Sequence, residues 1–453
     1  MKGFINIFLL ILTPIISIGE ISLDSLLGNR DYIITINDIP IGYMKIEREM
    51  INSSFKQKKK IEIELIRAGE KVNITTDEII EMDRYGNLIS FTYSEIDSSG
   101  EREVSGKIED SILILNGSES GKKINMMKIE WSPDNIIDDA IQLIPIFHRD
   151  YKNLKLNVFY PQFGQFVKTN IEISNSEDNY TIICNDNMTG SEPTEYIVDN
   201  SGWLVSAYDN SFGMPLRIEI GKREITEEFD IIKEFRIKAD SLKDGQRYRI
   251  YFKDLITTGL LPSGDFQNVK FINENTAEVN IQKSRIENID KKSYLSEGSP
   301  YWAGNERLKN IINELKREKS IKKRDMARAL SEWVYKNLTK KDFTIIQGDT
   351  LKALDYGGGD CSEHTYLLVG LLRTYKIPSR GVVGLLKVND YFYYHMWVEY
   401  WDNGWIPLDP TIGTMRACHI KLFNLPPTGG MDIDSIKLLI GSLKIERIEV
   451  IEQ

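Results

Sequence analysis

The sequence predicts a multidomain protein: a β-rich N-terminal region, built as an antiparallel sheet or sandwich, followed by an α+β domain. Three observations point there. From Asp31 to about Arg285 apolar and polar residues alternate with a period of two, broken by frequent turn residues. Beyond residue 300 the apolar spacing becomes that of helices. After Ile377-Pro378 short strands return, so helices come first and antiparallel strands follow.

At 453 residues the chain exceeds one ordinary domain. Its 41% hydrophobic and 27% charged residues are those of a globular protein. The formal charge of −10 argues against a nucleic-acid partner, which would need a basic footprint. Lys58-Lys59-Lys60 and Lys322-Lys323-Arg324 are short runs and read as solvated faces.

Residues 1–19 read as a signal peptide. Lys2 supplies a positive start, Phe4 to Ile18 is a nearly unbroken apolar run, and Ser17-Ile18-Gly19 ends in small residues. The expectation is export to the periplasm, the cell surface or the medium. The run is short for a membrane span of ~20 residues, so a membrane is a partner only if this segment stays as an anchor. An odd number of cysteines in an exported chain points to a free, reactive thiol. Of Cys184, Cys361 and Cys418, the first and last read as ordinary buried thiols.

Residues 20–230 are the expected antiparallel β region. Ile61-Glu62-Ile63-Glu64-Leu65-Ile66 and Leu216-Arg217-Ile218-Glu219-Ile220 alternate as half-buried strands do, and Ile112-Leu113-Ile114-Leu115 reads as a fully buried one. A single helix is expected near 134–148, opened by Pro133-Asp134. Asp83, Gly86, Leu88 and Ser90 recur 116 residues later as Asp199, Gly202, Leu204 and Ser206, which suggests two related β-units or a shared turn chemistry. His148 reads as structural. Residues 231–295 form a smaller β segment or linker without evident chemistry.

The domain expected over 296–453 begins with two helices, spaced on Leu308, Ile311, Ile312 and Leu315, then on Met326, Leu330, Trp333 and Val334. A short helix capped by Asp349 or Thr350 leads to Gly357-Gly358-Gly359-Asp360-Cys361. Asp360 followed by Glu363 is a capping box, so a helix starts at Cys361. A thiol there faces unpaired N–H groups and the positive end of the helix dipole, which favours the thiolate. Asp360 and Glu363 oppose it, so a cationic partner is needed.

His395 is the candidate. It lies in the strand Tyr391–Trp401, and Asp402-Asn403-Gly404 is a turn between that strand and the next. A three-residue loop with Gly404 left-handed puts His395 opposite Thr411 and brings Asp409 diagonally beside it on the same face. A two-residue turn would send Asp409 to the other face. The first register makes a Cys361–His395–Asp409 triad: the thiol attacks an amide carbonyl, the imidazole carries the proton, and the carboxylate orients it. The Cys361 N–H is a natural oxyanion donor, and Gln347 is a weak candidate for a second.

Residues 357–412 resemble the core of the transglutaminase-like superfamily. GGDCSEHTYLLVGLLRTYKIPSR matches its nucleophile segment, YHMWVEYWDNGW its histidine strand and LDPT its aspartate strand; the likeness extends over about 300–415. Met396 departs from it, since alanine commonly follows the histidine. The resemblance implies a papain-like α+β fold, with the triad carried by Cys361, His395 and Asp409. It implies acyl transfer from peptide or protein amides through a Cys thioester, ending in hydrolysis, as in a cysteine peptidase, or in transfer to an amine. Two other readings stay open: a non-catalytic exported binding or assembly module, and a cell-wall peptide amidase. The chemistry requires no cofactor and no metal. Cys361-x-x-His364 lacks the second pair of a structural zinc site, and no calcium loop is present. His364 reads as a helix-surface residue near the nucleophile, and Cys418-His419 as a pair without a role.

Overall fold

The structure, a computed structural model, describes residues 23–452 except for internal stretches, of which 253–260, 340–348 and 429–444 are the longest. The leader expected at 1–19, His148 and Gln347 lie outside the described residues. No helix among the described residues is long and apolar enough to cross a membrane.

The N-terminal region is one curved sheet of fifteen strands. The chain starts at its middle with Gly28–Ile36, meanders outward to Lys122–Glu130 at one edge, restarts at the other edge with Asn135–Ile137, and returns. Leu216–Ile220 closes the circuit by pairing with the first strand, Tyr32 facing Ile220. The sheet is not wholly antiparallel as expected, because Asn135–Ile137 runs parallel to Asn153–Tyr160. Only residues 131–134 carry the chain from one edge to the other, and the longer crossover of 138–152 between Asn135–Ile137 and Asn153–Tyr160 allows the parallel direction.

The helix expected near 134–148 is a strand of three residues, a 3-10 helix over Asp138–Leu143 and one α-turn over Ile144–Phe147. Its apolar spacing explains the tighter winding. Ile137, Ala140, Leu143 and Ile146 recur every third residue, the repeat that a 3-10 helix aligns on one face. They pack with Phe55, Ile80, Phe91, Leu113 and Phe159, while Ile141 and Ile144 pack with Ile34, Ile46, Val158 and Ile182. One short segment thus packs against strands from both halves of the sheet. The 116-residue echo marks two equivalent hairpin turns. The Asp83 carboxylate accepts from the Tyr85 and Asn87 N–H groups, and Asp199 accepts from those of Ser201 and Trp203. Gly86 and Gly202 follow with φ of 87° and 78°, and both abut the central segment, at Phe147 and Ile146.

Downstream, helices Glu306–Glu318, Lys323–Asn337 and Thr350–Tyr356 surround a fourth, Cys361–Thr374. A five-stranded sheet holds Ile237–Lys238, Tyr391–Trp401, Ser379–Val388 and His419–Asn424 in that order, with Trp405–Leu408 paired to Tyr391–Trp401. A separate four-stranded sheet joins Asn268–Asn273, Thr276–Asn280 and Arg247–Phe252 to Ile445–Glu452. Strands from 231–295 therefore share both sheets with strands from 296–453. The buried Arg373 fixes the end of the fourth helix, donating to the Ser379 carbonyl at 2.7 Å and to the Pro427 carbonyl at 2.7 Å.

Candidate active site

Cys361 is the first residue of its helix, partly exposed at the surface of the core, and Cys184 and Cys418 are buried and outside any disulfide. The predicted capping box is present. The Asp360 carboxylate accepts from the Ser362 N–H at 2.7 Å, and the Glu363 carboxyl accepts from the Asp360 N–H at 2.9 Å. Gly359 allows this closeness: its φ is 141°, and a Cβ there would lie 2.5 Å from Cβ of Glu363. Burial, and then the neighbouring Asp360, push the Glu363 carboxyl well above the usual range, which weakens its opposition to the thiolate. His364 is not on the helix surface; it is fully buried, and its Nδ1 donates to the Asp360 carbonyl at 2.7 Å. The helix is buried on every side from Glu363 to Arg373, so it has no solvent face to offer.

The hairpin has the three-residue loop. Trp401 faces Trp405, Tyr400 faces Ile406 and Val398 faces Leu408, which centres the turn on Asn403. The left-handed residue is Asn403, with φ of 55°, rather than Gly404, which takes φ of 145°. This register brings Asp409 to His395, with His395 Nε2 2.7 Å from Asp409 Oδ2. Nδ1 is then the ring nitrogen left for the Cys361 thiol, with which the imidazole also interacts. Burial alone would lower the His395 pKa, but its hydrogen bonds to Asp409 and with Cys361 outweigh it and raise the pKa to about 10. For Asp409 burial would raise the pKa, and the hydrogen bonds from His395 and His419 hold it well below the usual carboxylate range.

His419 is the residue that sequence reasoning missed. Its Nε2 donates to the same Asp409 Oδ2 at 2.9 Å, and Trp397 lies against both imidazoles. The other oxygen, Oδ1, accepts from the Thr411 and Ile412 N–H groups at 2.9 and 3.2 Å. A signal existed in the alternation of the strand His419–Asn424, where Ile420 and Leu422 enter the apolar core. His419 and Lys421 then share the other face. Both meet acids, His419 at Asp409 and Lys421 at Glu399, with Lys421 Nζ 2.6 Å from Glu399 Oε1. Arg380 also reaches Glu399, at 2.8 Å, so this buried carboxylate carries two cations.

Residues 309–410 match a family model described as the transglutaminase-like superfamily. Among solved structures, the chain resembles a β-barrel-like protein of domain of unknown function DUF1849 from Brucella abortus, at 12% identity and a TM-score of 0.34. That match covers 44% of this chain and 97% of the other. It also resembles a Cytophaga hutchinsonii protein described as "a Putative Cysteine Protease", at 12% identity and a TM-score of 0.26, covering 42% of this chain and 78% of the other. No curated protein matches the chain. The β-rich region is therefore followed by a helix-and-strand region that carries, over residues 309–410, a transglutaminase-like domain, and Cys361, His395 and Asp409 fall within it.

Proposed function

We propose that the C-terminal region is a thiol enzyme that transfers acyl groups from peptide or protein amides. The observation that carries this reading is the hydrogen bond from His395 Nε2 to Asp409 Oδ2, which leaves Nδ1 for Cys361 at a helix start. The imidazolium is the counter-charge that a thiolate in this position requires. Cys361 Sγ attacks the amide carbonyl carbon, forming a C–S bond as the carbonyl electrons move onto oxygen. The Cys361 N–H, a first-turn donor without an intrahelical partner, stabilises that oxyanion. When the C–N bond breaks, His395 gives its proton to the departing amine and a thioester remains. Water or a primary amine then attacks the thioester, His395 takes the proton, and the C–S bond breaks to return Cys361. Asp409 keeps the imidazole in the required tautomer throughout.

Export through residues 1–19 belongs to this proposal, supported by the apolar run Phe4–Ile18. Edman sequencing of the secreted product tests it, with a new N-terminus at Glu20 expected. The function is tested by supplying a labelled primary amine with a library of glutamine-containing peptides. Label incorporation identifies an amine transferase, and peptide cleavage identifies a hydrolase. The proposal fails if neither occurs, or if Cys361→Ala performs as well as wild type.

A further inference from the structure

We propose that His395, Asp409 and His419 form a binding site for a divalent transition-metal ion of the zinc class, and that a bound ion switches the catalytic histidine off. The binding rests on geometry alone. Its effect on turnover rests on the acyl-transfer reading above.

The three residues are buried, and their ligand atoms all lie within 4.8 Å of one another. Asp409 Oδ2 is 2.7 Å from His395 Nε2 and 2.9 Å from His419 Nε2. Zinc holds nitrogen and carboxylate donors at about 2.0–2.2 Å, which in tetrahedral geometry sets them about 3.4 Å apart. Each contact therefore has to open by roughly 0.5–0.7 Å, within reach of small rotations about the side-chain bonds. Two imidazoles and one carboxylate, with a fourth position left for water, form a donor set that suits a borderline cation. The carboxylate is already oriented as ligating carboxylates are, because Oδ1 is held by the Thr411 and Ile412 N–H groups.

Two hollows border the buried cluster. A hollow of about 210 Å³ reaches His419 between Trp397 and Met415. A wider one of about 600 Å³ is lined by Asp409 together with Leu408 and Met415. The local charge limits affinity. Glu399 is shared by Arg380 and Lys421, so one surplus positive charge stands nearby, and binding is weaker than at an all-thiolate structural zinc.

Binding releases the Nε2 protons of His395 and His419 to solvent, and their lone pairs pass to the ion. With Nδ1 still protonated toward Cys361, His395 has no lone pair left to take up the proton that acyl transfer must move. The carboxylate that orients the ring is also engaged by the metal.

The test uses the full-length chain freed of metal. Zn²⁺ is titrated in competition with a chromophoric chelator, and Co²⁺ binding is followed by visible absorption. One ion per chain is expected, with Co²⁺ ligand-field bands and no sulfur-to-cobalt charge-transfer band. Cys361→Ala should bind as wild type does, and His419→Gln should lose about 10-fold or more in affinity, the scale on which even outer-shell partners act. Circular dichroism verifies the fold of His419→Gln. The wild-type cobalt spectrum decides independently of any variant. The proposal is overturned by the absence of that spectrum, by thiolate bands that vanish in Cys361→Ala, or by undiminished binding in folded His419→Gln. In the turnover assay Zn²⁺ should inhibit and a chelator should restore activity. A positive titration without any turnover leaves the site standing and removes the function. Turnover with a failed titration does the reverse.

Discussion

Asp409→Asn is the substitution whose outcome the geometry specifies most closely. The carboxylate accepts four hydrogen bonds: two imidazole N–H groups at Oδ2 and two backbone N–H groups at Oδ1. An asparagine amide accepts at one end only. If its oxygen faces Thr411 and Ile412, its NH₂ points at two imidazole donors; if it is flipped, the NH₂ meets two backbone donors. Either way two buried donors lose their acceptor, at about 1–3 kcal/mol each, so a loss of roughly 2–6 kcal/mol in stability is expected. The first arrangement can be relieved if His395 changes tautomer, accepting at Nε2 and carrying its proton on Nδ1. That ring cannot take a proton from Cys361. The expected loss in kcat/KM is about 10³–10⁴-fold, the scale seen when a triad carboxylate becomes an amide. Alkylation of Cys361 by iodoacetamide reads the thiolate directly. At pH 6 Asp409→Asn should alkylate more slowly than wild type, because the imidazolium that accompanies the thiolate is lost. A folded Asp409→Asn protein that alkylates as wild type does at pH 6 would refute the reasoning.

Glu363→Gln tests the raised pKa of the acid in the capping box. The folded pKa of Glu363 is raised, so its contribution to stability is complete below the unfolded value of about 4.3 and is lost as pH rises through the folded one. Urea melts across pH 5–8 should show the variant gaining on wild type by up to ~1.4 kcal/mol per pH unit; parallel curves would count against it. Gly359→Ala forces a side chain onto φ of 141° and against Glu363. Denaturant midpoints should register a loss of about 1–3 kcal/mol, with slower alkylation of Cys361. Deleting 445–452 removes the partner of Arg247–Phe252 and the cover of Ile448, which is fully buried against Tyr248 and Ile250. Scanning calorimetry should show a lower Tm and light scattering more aggregation, because a strand edge is laid bare.

The features legible in the sequence are those governed by short-range rules. Asp360 and Glu363 announced their cap because capping is a matter of three residues, and Asp402-Asn403-Gly404 announced the register because loop length sets strand pairing. The β-rich region was legible from alternation, and its central segment from apolar spacing, although the period of three distinguishing a 3-10 helix went unread. What escaped depends on distant parts of the chain. Nothing local in Ile237-Lys238 says that it pairs with Phe392 and Tyr391 at the start of the histidine strand. The raised pKa of Glu363 and the burial of His364 follow from the helix being enclosed on all sides, which its own spacing does not reveal. His419 became visible only when a neighbouring strand set it against Asp409.

The pairing of Arg247–Phe252 with Ile445–Glu452 has a consequence for biosynthesis. Tyr251 donates from its hydroxyl to Glu449, 198 positions further along. A ribosome adding about 5–20 residues per second takes roughly 10–40 s to cover that distance. For that time one flank of an apolar strand has no partner, and everything from the nucleophile helix to the aspartate loop is made within the same interval. A nascent chain can therefore carry Cys361, His395 and Asp409 before the neighbouring sheet is complete. The half-made protein needs shielding more than it needs substrate.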